Sequence, residues 1–287
     1  MRPPDAIVLP ELAQDLWPDP PQPQAPEVDL RQVVATEMEG WRSRPLIVTA
    51  EEVRTDVHQW RRMFFYNWDP IGSPLREEGL QAMHDRYRHL LHGPGVWSNM
   101  DAGEWDRVPQ PMRAMAILGM IDCRVLQYRP GEEEGLPLDA VADRLKAIAM
   151  LESWFQHRAV NENRDGSRDV GIAQASDYMR SRIRVLHVGG QSDFGLAEGD
   201  YIDPWKATRA LVYWFSLLLD EVEGDLDQAT GAYHVGSGRA DGRRGRAYCD
   251  EVRRLEATYL SGAPPSRSPA WDWLRAHSPS PCPLPGR

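Results

Sequence analysis

The chain has 287 residues, 41% hydrophobic and 26% charged, a balance that excludes wholesale disorder and fits one or two folded domains. The formal net charge of −10 argues against a general nucleic-acid binder. The longest strongly apolar run, Leu211–Leu219, falls far short of the ~18 residues of a membrane span.

Residues 1–30 hold eight prolines and read as a proline-rich N-terminal tail, since proline neither continues a helix nor pairs in a central strand. The apolar stretch before Pro10 is four residues, shorter than the ~7–15 of a secretory h-region, so no signal peptide is visible. Residues 31–130 are expected to form a helical N-terminal region. There Trp60, Phe64, Phe65 and Trp68 recur at helical spacing, as do Met83, Tyr87, Leu90 and Leu91, and the aromatic Trp60–Trp68 stretch reads as core rather than as a ligand platform. Gly93-Pro-Gly and Pro109-Gln-Pro read as turns. His84, His89 and His92 lack the spacing of a zinc site and read as surface or capping histidines.

The charged, glycine-flanked stretch Gly131–Pro137 is expected to mark a boundary. Beyond it Leu138, Val141, Leu145 and Ile148 form one helical stripe, and Glu152 is its next member. A small β-hairpin is expected around 160–173. Asp203-Pro204 predicts an N-cap followed by proline at the first helical position, with the helix continuing through Leu211, Phe215, Leu218 and Val222. Tyr248, Val252, Leu255 and Tyr259 predict a further helix. Residues 263–287 hold seven prolines and read as a C-terminal tail. Either tail would lie extended, strap a neighbouring surface or dock a partner. Cys123, Cys249 and Cys282 are far apart and form no CxxC, so neither a zinc ribbon nor a disulfide framework is expected.

Glu152 carries the chemistry. Its spacing puts a carboxyl on the buried face of a helix, near the helix C-terminus. Burial and the negative end of the helix dipole both disfavour the carboxylate and suit a general acid. Spacing alone leaves a second reading open, in which Glu152 turns to solvent or pairs with a cation such as Arg158.

A succession of short motifs surrounds it. Leu151-Glu152-Ser153 is followed by Asn163–Gln174, with Gly171-Ile172-Ala173-Gln174 at its end, then by Gly231-Ala-Tyr233-His234-Val-Gly236-Ser-Gly238, then by Tyr248. Over 137–262 this order resembles the catalytic domain of the soluble lytic transglycosylases, relatives of goose-type lysozyme. That family shows Glu-Ser, a Gly-Leu-Met-Gln turn, Ala-Tyr-Asn-Ala-Gly-x-Gly and a late tyrosine. The Asn163–Gln174 segment looks most like members that accompany type IV secretion systems and phage particles. The resemblance implies a mainly α, lysozyme-like domain at 137–262, preceded by the helical 31–130 region.

It also implies an enzyme that cleaves the bond between N-acetylmuramic acid and N-acetylglucosamine in peptidoglycan. Glu152 would be the single acid/base and the product a 1,6-anhydro ring. Such chemistry needs one carboxylate where ordinary glycosidases need two, because the attacking hydroxyl belongs to the substrate. Ser153 would position Glu152 or substrate, and Gln174 would bond sugar. Gly171 and Ile172 would admit the glycan close to backbone, while Tyr233, His234 and Tyr248 would line the cleft. Ala173 and His234 depart from the family's Met and Asn, and His234 is expected to add a titration near neutrality. No cofactor or metal is implied.

Other readings stay open. Asp165 and Asp169 would orient a water in a hydrolysing, lysozyme-like enzyme, or would belong to a solvated turn. A non-catalytic wall-binding or assembly protein on the same fold is the alternative from another class. Asn161–Asp169 resembles half of a calcium loop, but Ile172 stands where the bidentate glutamate would be. Gly236-x-Gly238 follows a helix and is no dinucleotide loop. The four arginines of Arg239–Arg246 read as a solvated loop or as a contact for anionic wall polymer or a partner. With no visible signal peptide, a periplasmic or wall substrate implies export by another route. A secretion-system effector, a phage lysis or virion protein, or a misassigned start would each supply one. A toxin would imply an immunity protein in the producing cell.

Overall fold

The computed structural model describes residue 81 and residues 84–285, apart from 109, 164, 191–194, 261–268 and 278–279. The N-terminal tail, Trp60, Phe64, Phe65, Trp68 and Met83 lie outside the described residues. The fold is mainly helical, as expected. Two short helices, α1 (Pro94–Trp97) and α2 (Ala102–Asp106), lead into α3 (Gln110–Tyr128) and α4 (Leu138–Ser153). A hairpin of β1 (Val160–Glu162) and β2 (Arg168–Val170) follows. The chain then forms α5 (Asp177–Val188), α6 (Pro204–Glu221), α7 (Leu226–Val235), α8 (Arg243–Tyr259) and α9 (Pro269–His277).

Two expected turns are helix starts. Pro94 opens α1 and Gln110 opens α3, because a proline in the first helical turn lacks only an N–H that would have no partner there. Likewise Arg243, Arg244 and Arg246, expected in a loop, form the start of α8.

The core is built around α4, which packs on α3, α7 and α8, while α6 closes over α3. Ile117, Met120 and Ile121 of α3, Val141, Leu145 and Ile148 of α4, and Leu211 and Phe215 of α6 are all fully buried where α3 packs on α4 and α6. α3, which falls in the expected N-terminal region, therefore shares one core with the elements beyond Pro137. α4 is so enclosed that Asp143, Arg144 and Lys146 are buried too, and each finds an opposite charge. Lys146 Nζ lies 2.5 Å from Asp122 of α3. Arg144 reaches Glu256 of α8 at 2.8 Å and Asp227 of α7 at 2.9 Å.

The predicted N-cap at Asp203 is present: its carboxylate accepts from the backbone N–H of Trp205 and Lys206, and Pro204 follows. In the hairpin Val160 pairs with Val170, Asn161 with Asp169 and Glu162 with Arg168.

The cysteines and the C-terminal segment differ from expectation. Cys123 of α3 and Cys282 form a disulfide across 159 residues of sequence. Beside it the Pro281 ring lies against Gly93 and Gly119, and Leu284 is buried. Gly119 makes room here: a Cβ would stand 3.1 Å from Pro281 and 3.2 Å from Trp97, so those rings would have to give by a few tenths of an ångström. Residues 269–277, expected as tail, form α9, and Arg275 donates to the final carbonyls of α8 at Tyr259 and Leu260.

Candidate active site

Glu152 sits in the last turn of α4, on the stripe that the spacing of Leu138, Val141, Leu145 and Ile148 predicts. The helix stops at Ser153 because Trp154 and Phe155 take left-handed backbone angles (φ 54° and 61°) and turn the chain away. Arg158, the cation expected under the rival reading of Glu152, instead bonds Asp106 of α2 at 2.7 Å. His157, pushed down to about 4 by burial and by Arg113, lies 2.9 Å from the same carboxylate.

Ser153 is buried. Its hydroxyl lies 2.9 Å from the Ile172 carbonyl and 3.2 Å from that of Ala149, so it ties the end of α4 to the 171–174 turn. That turn is tightly closed. Gly171 N–H donates to Ala159 O at 2.8 Å, and Ala175 N–H donates to Val170 O at 2.8 Å. Gly171 has φ 76°, and a Cβ there would stand 2.0 Å from the Tyr201 carbonyl, so only glycine fits. Ile172 and Ala173 are buried, and they meet the site through their carbonyls. Gln174, with φ 42°, turns its amide nitrogen onto Gly171 O at 3.0 Å and Ala159 O at 3.3 Å.

α7 and α8 bring the aromatic residues. The two helices approach closely at glycines: a Cβ on Gly231 of α7 would stand 3.2 Å from the Gly245 carbonyl oxygen of α8 and 2.9 Å from Ala240 O in the turn between them. Tyr233 consequently reaches across to donate to Ala173 O at 2.6 Å. Tyr248 donates to Glu152 Oε1 at 2.5 Å. The His234 ring lies flat on that of Tyr248, with centroids 4.6 Å apart and planes 3° from parallel. Of the expected site residues, Tyr248 bonds Glu152 directly and Tyr233 feels its charge, while Ser153 ties the 171–174 turn to the end of α4 and His234 joins through Tyr248.

The electrostatics follow from burial. Burial raises Glu152 to about 7, against the hydrogen bond from Tyr248 and with help from the negative charge of Asp169. Tyr248 and Tyr233 are held well above the ordinary tyrosine range by burial and by Glu152, so both hydroxyls stay protonated donors. His234 does not titrate near neutrality, contrary to expectation: burial, and then the charge of Arg244, lower it to about 4. The two hairpin aspartates differ. Asp165 is exposed at the tip, where it accepts from the N–H and hydroxyl of Ser167. Asp169 is raised by burial, against bonds from Asn163 and Asn161, and its charge is felt at Glu152.

Sequence reasoning did not find the anchoring carbonyls of Ile172 and Ala173, since backbone acceptors leave no trace in residue type. Nor did it find the stack of His234 on Tyr248, although their helices were expected.

Comparison with known proteins gives two findings. The family described as "Transglycosylase SLT domain" matches residues 139–252. Protein IpgF of Shigella flexneri and Protein IpgF of Shigella sonnei are each 31% identical over 137 residues, covering 48% of this chain and 80% of theirs. No solved structure matches.

Proposed function

Since the chain belongs to the transglycosylase SLT domain family, we propose that it cleaves the glycan strands of peptidoglycan between N-acetylmuramic acid and N-acetylglucosamine, with Glu152 as the single acid/base. One observation carries this reading: a carboxyl raised to about 7 by burial, whose Oε1 is held by a tyrosine hydroxyl at 2.5 Å. Near neutrality such a group exists in both protonation states, which an acid that must later act as a base requires.

The chemistry runs in two proton transfers. Tyr248 donates to Oε1, so in this reading Oε2 carries the proton of Glu152. Glu152 gives that proton to the glycosidic oxygen as the bond to the muramic acid C1 breaks. The carboxylate then takes the proton of the C6 hydroxyl, whose oxygen bonds to C1 and closes the 1,6-anhydro ring. The proton returns to Glu152, and no water is consumed. Ser153 and Tyr233 hold the 171–174 turn against α4 and α7, and Gln174 and the backbone of that turn present the sugar-binding edge. A peptidoglycan substrate implies action in the periplasm or cell wall.

Asp169 supports a second outcome. Its carboxylate is close enough to raise Glu152 and would orient a water for hydrolysis. Borohydride reduction of digested peptidoglycan followed by mass spectrometry separates the two. Anhydro ends resist reduction and support the transglycosylase reading. Reducible ends would overturn it in favour of hydrolysis, and intact peptidoglycan that still retains the protein would favour a binding role.

A further inference from the structure

We propose that His234 is a positioning residue: its ring, stacked on Tyr248, holds the phenol hydroxyl against the Glu152 carboxyl. The inference rests on the reading of Glu152 as the acid/base and adds a part for a residue at which this chain departs from the family's asparagine.

A single hydrogen bond from the Tyr248 hydroxyl to Glu152 fixes one end of the phenol and leaves the ring free to swing about it. The second constraint comes from α7. His234 lies in its last turn, and the close approach of α7 and α8 at Gly231 and Gly245 brings the imidazole face to face with the phenol. With planes 3° from parallel and centroids 4.6 Å apart, the stack restricts both tilt and swing of the Tyr248 ring. The imidazole stays neutral because it is half-buried and because it feels the charge of Arg244 from α8, so it stacks as an uncharged ring. The titratable groups that face Glu152 are Tyr248 from α8, Tyr233 from α7 and Asp169 from β2. His234 is not among them. It acts on Glu152 through Tyr248.

The test compares H234A, H234F, Y248F and H234A/Y248F with wild type. Two quantities are measured: the Glu152 titration midpoint by carboxyl carbon NMR, which needs no turnover, and kcat on purified peptidoglycan. H234F keeps a flat ring without the imidazole nitrogens and is expected to keep the wild-type Glu152 midpoint. H234A is expected to raise the midpoint, as Y248F does, and to lower kcat by about tenfold to a hundredfold. The double variant is expected to match Y248F alone, since the histidine acts only through the phenol hydroxyl. The proposal is overturned if H234A titrates like wild type, if its midpoint falls, or if the two effects add. Should H234A fail to fold, H234F decides: loss of the wild-type midpoint would assign the role to the imidazole nitrogens and overturn the stacking account. A wild type that leaves peptidoglycan intact while the midpoints shift as stated would refute the acid/base reading and leave the positioning role standing.

Discussion

The Tyr248 hydroxyl donates to Glu152 Oε1 at 2.5 Å from a helix 96 residues further along the chain. A donor at that distance favours the ionised carboxylate, while burial favours the protonated one, and burial prevails. Y248F removes the opposing influence and leaves the burial. The Glu152 midpoint is therefore expected to rise above about 7. Because the first step needs the protonated acid, activity is lost as pH rises through that midpoint, and the alkaline limb of the profile should move to higher pH in Y248F. A kcat–pH profile checks this, and a limb that stays in place would mean that the bond does not influence Glu152.

The same burial makes Glu152 a cost to stability. Its folded value lies above the ordinary glutamate value of 4.5, so the folded chain binds more protons than the unfolded chain between 4.5 and about 7. The cost is absent below pH 4.5, grows across that window and is complete above about pH 7. E152Q is expected to be more stable than wild type at pH 8, by on the order of 1–3 kcal/mol once partial solvent exposure is allowed for, and to match it at pH 4. Urea denaturation at the two pH values measures the difference. Equal stability at pH 8 would show that the carboxyl is well solvated.

Ser153 links the end of α4 to the Ile172 carbonyl inside the protein. In S153A that carbonyl loses its donor, which costs about 1–3 kcal/mol when no water replaces it. The expected result is a lower denaturation midpoint together with lower kcat, since the turn that carries Gln174 loosens from Glu152. An unchanged midpoint would mean that the bond contributes nothing.

The disulfide joins Cys123 in α3 to Cys282 after α9, so the loop it closes contains the whole of 138–260. Reduction, or C282S, frees the C-terminal strap and is expected to lower stability by about 2–5 kcal/mol. Thermal unfolding with and without dithiothreitol checks this. Folded protein should keep its activity at low temperature, because neither cysteine bonds Glu152 or the 171–174 turn. An unaltered Tm on reduction would show that packing of Pro281 and Leu284 alone holds the strap.

Much of the site was legible because it is periodic. The stripe Leu138, Val141, Leu145, Ile148 placed Glu152 on an enclosed helix face, and Asp203-Pro204 marked the start of α6 through its own local chemistry. What stayed hidden is tertiary. Nothing near Cys282 in sequence points to Cys123, 159 residues away. The prolines around 269–277 masked the nine-residue α9, which proline permits at its first position and confines at its ends. Arg158 looked like a partner for Glu152 by proximity in sequence, yet the left-handed turn at Trp154 and Phe155 points it to Asp106. The titration of His234 was misjudged for the same reason, because its burial is created by α8 rather than by its own neighbours.

Digestion of purified peptidoglycan by wild type and by E152Q, with mass spectrometry of the released muropeptides, is the most direct test of the acid/base role of Glu152. The expected result is 1,6-anhydro muropeptides from wild type and none from E152Q, with E152Q still folded and still bound to the wall. Anhydro products from E152Q at the wild-type rate would contradict it.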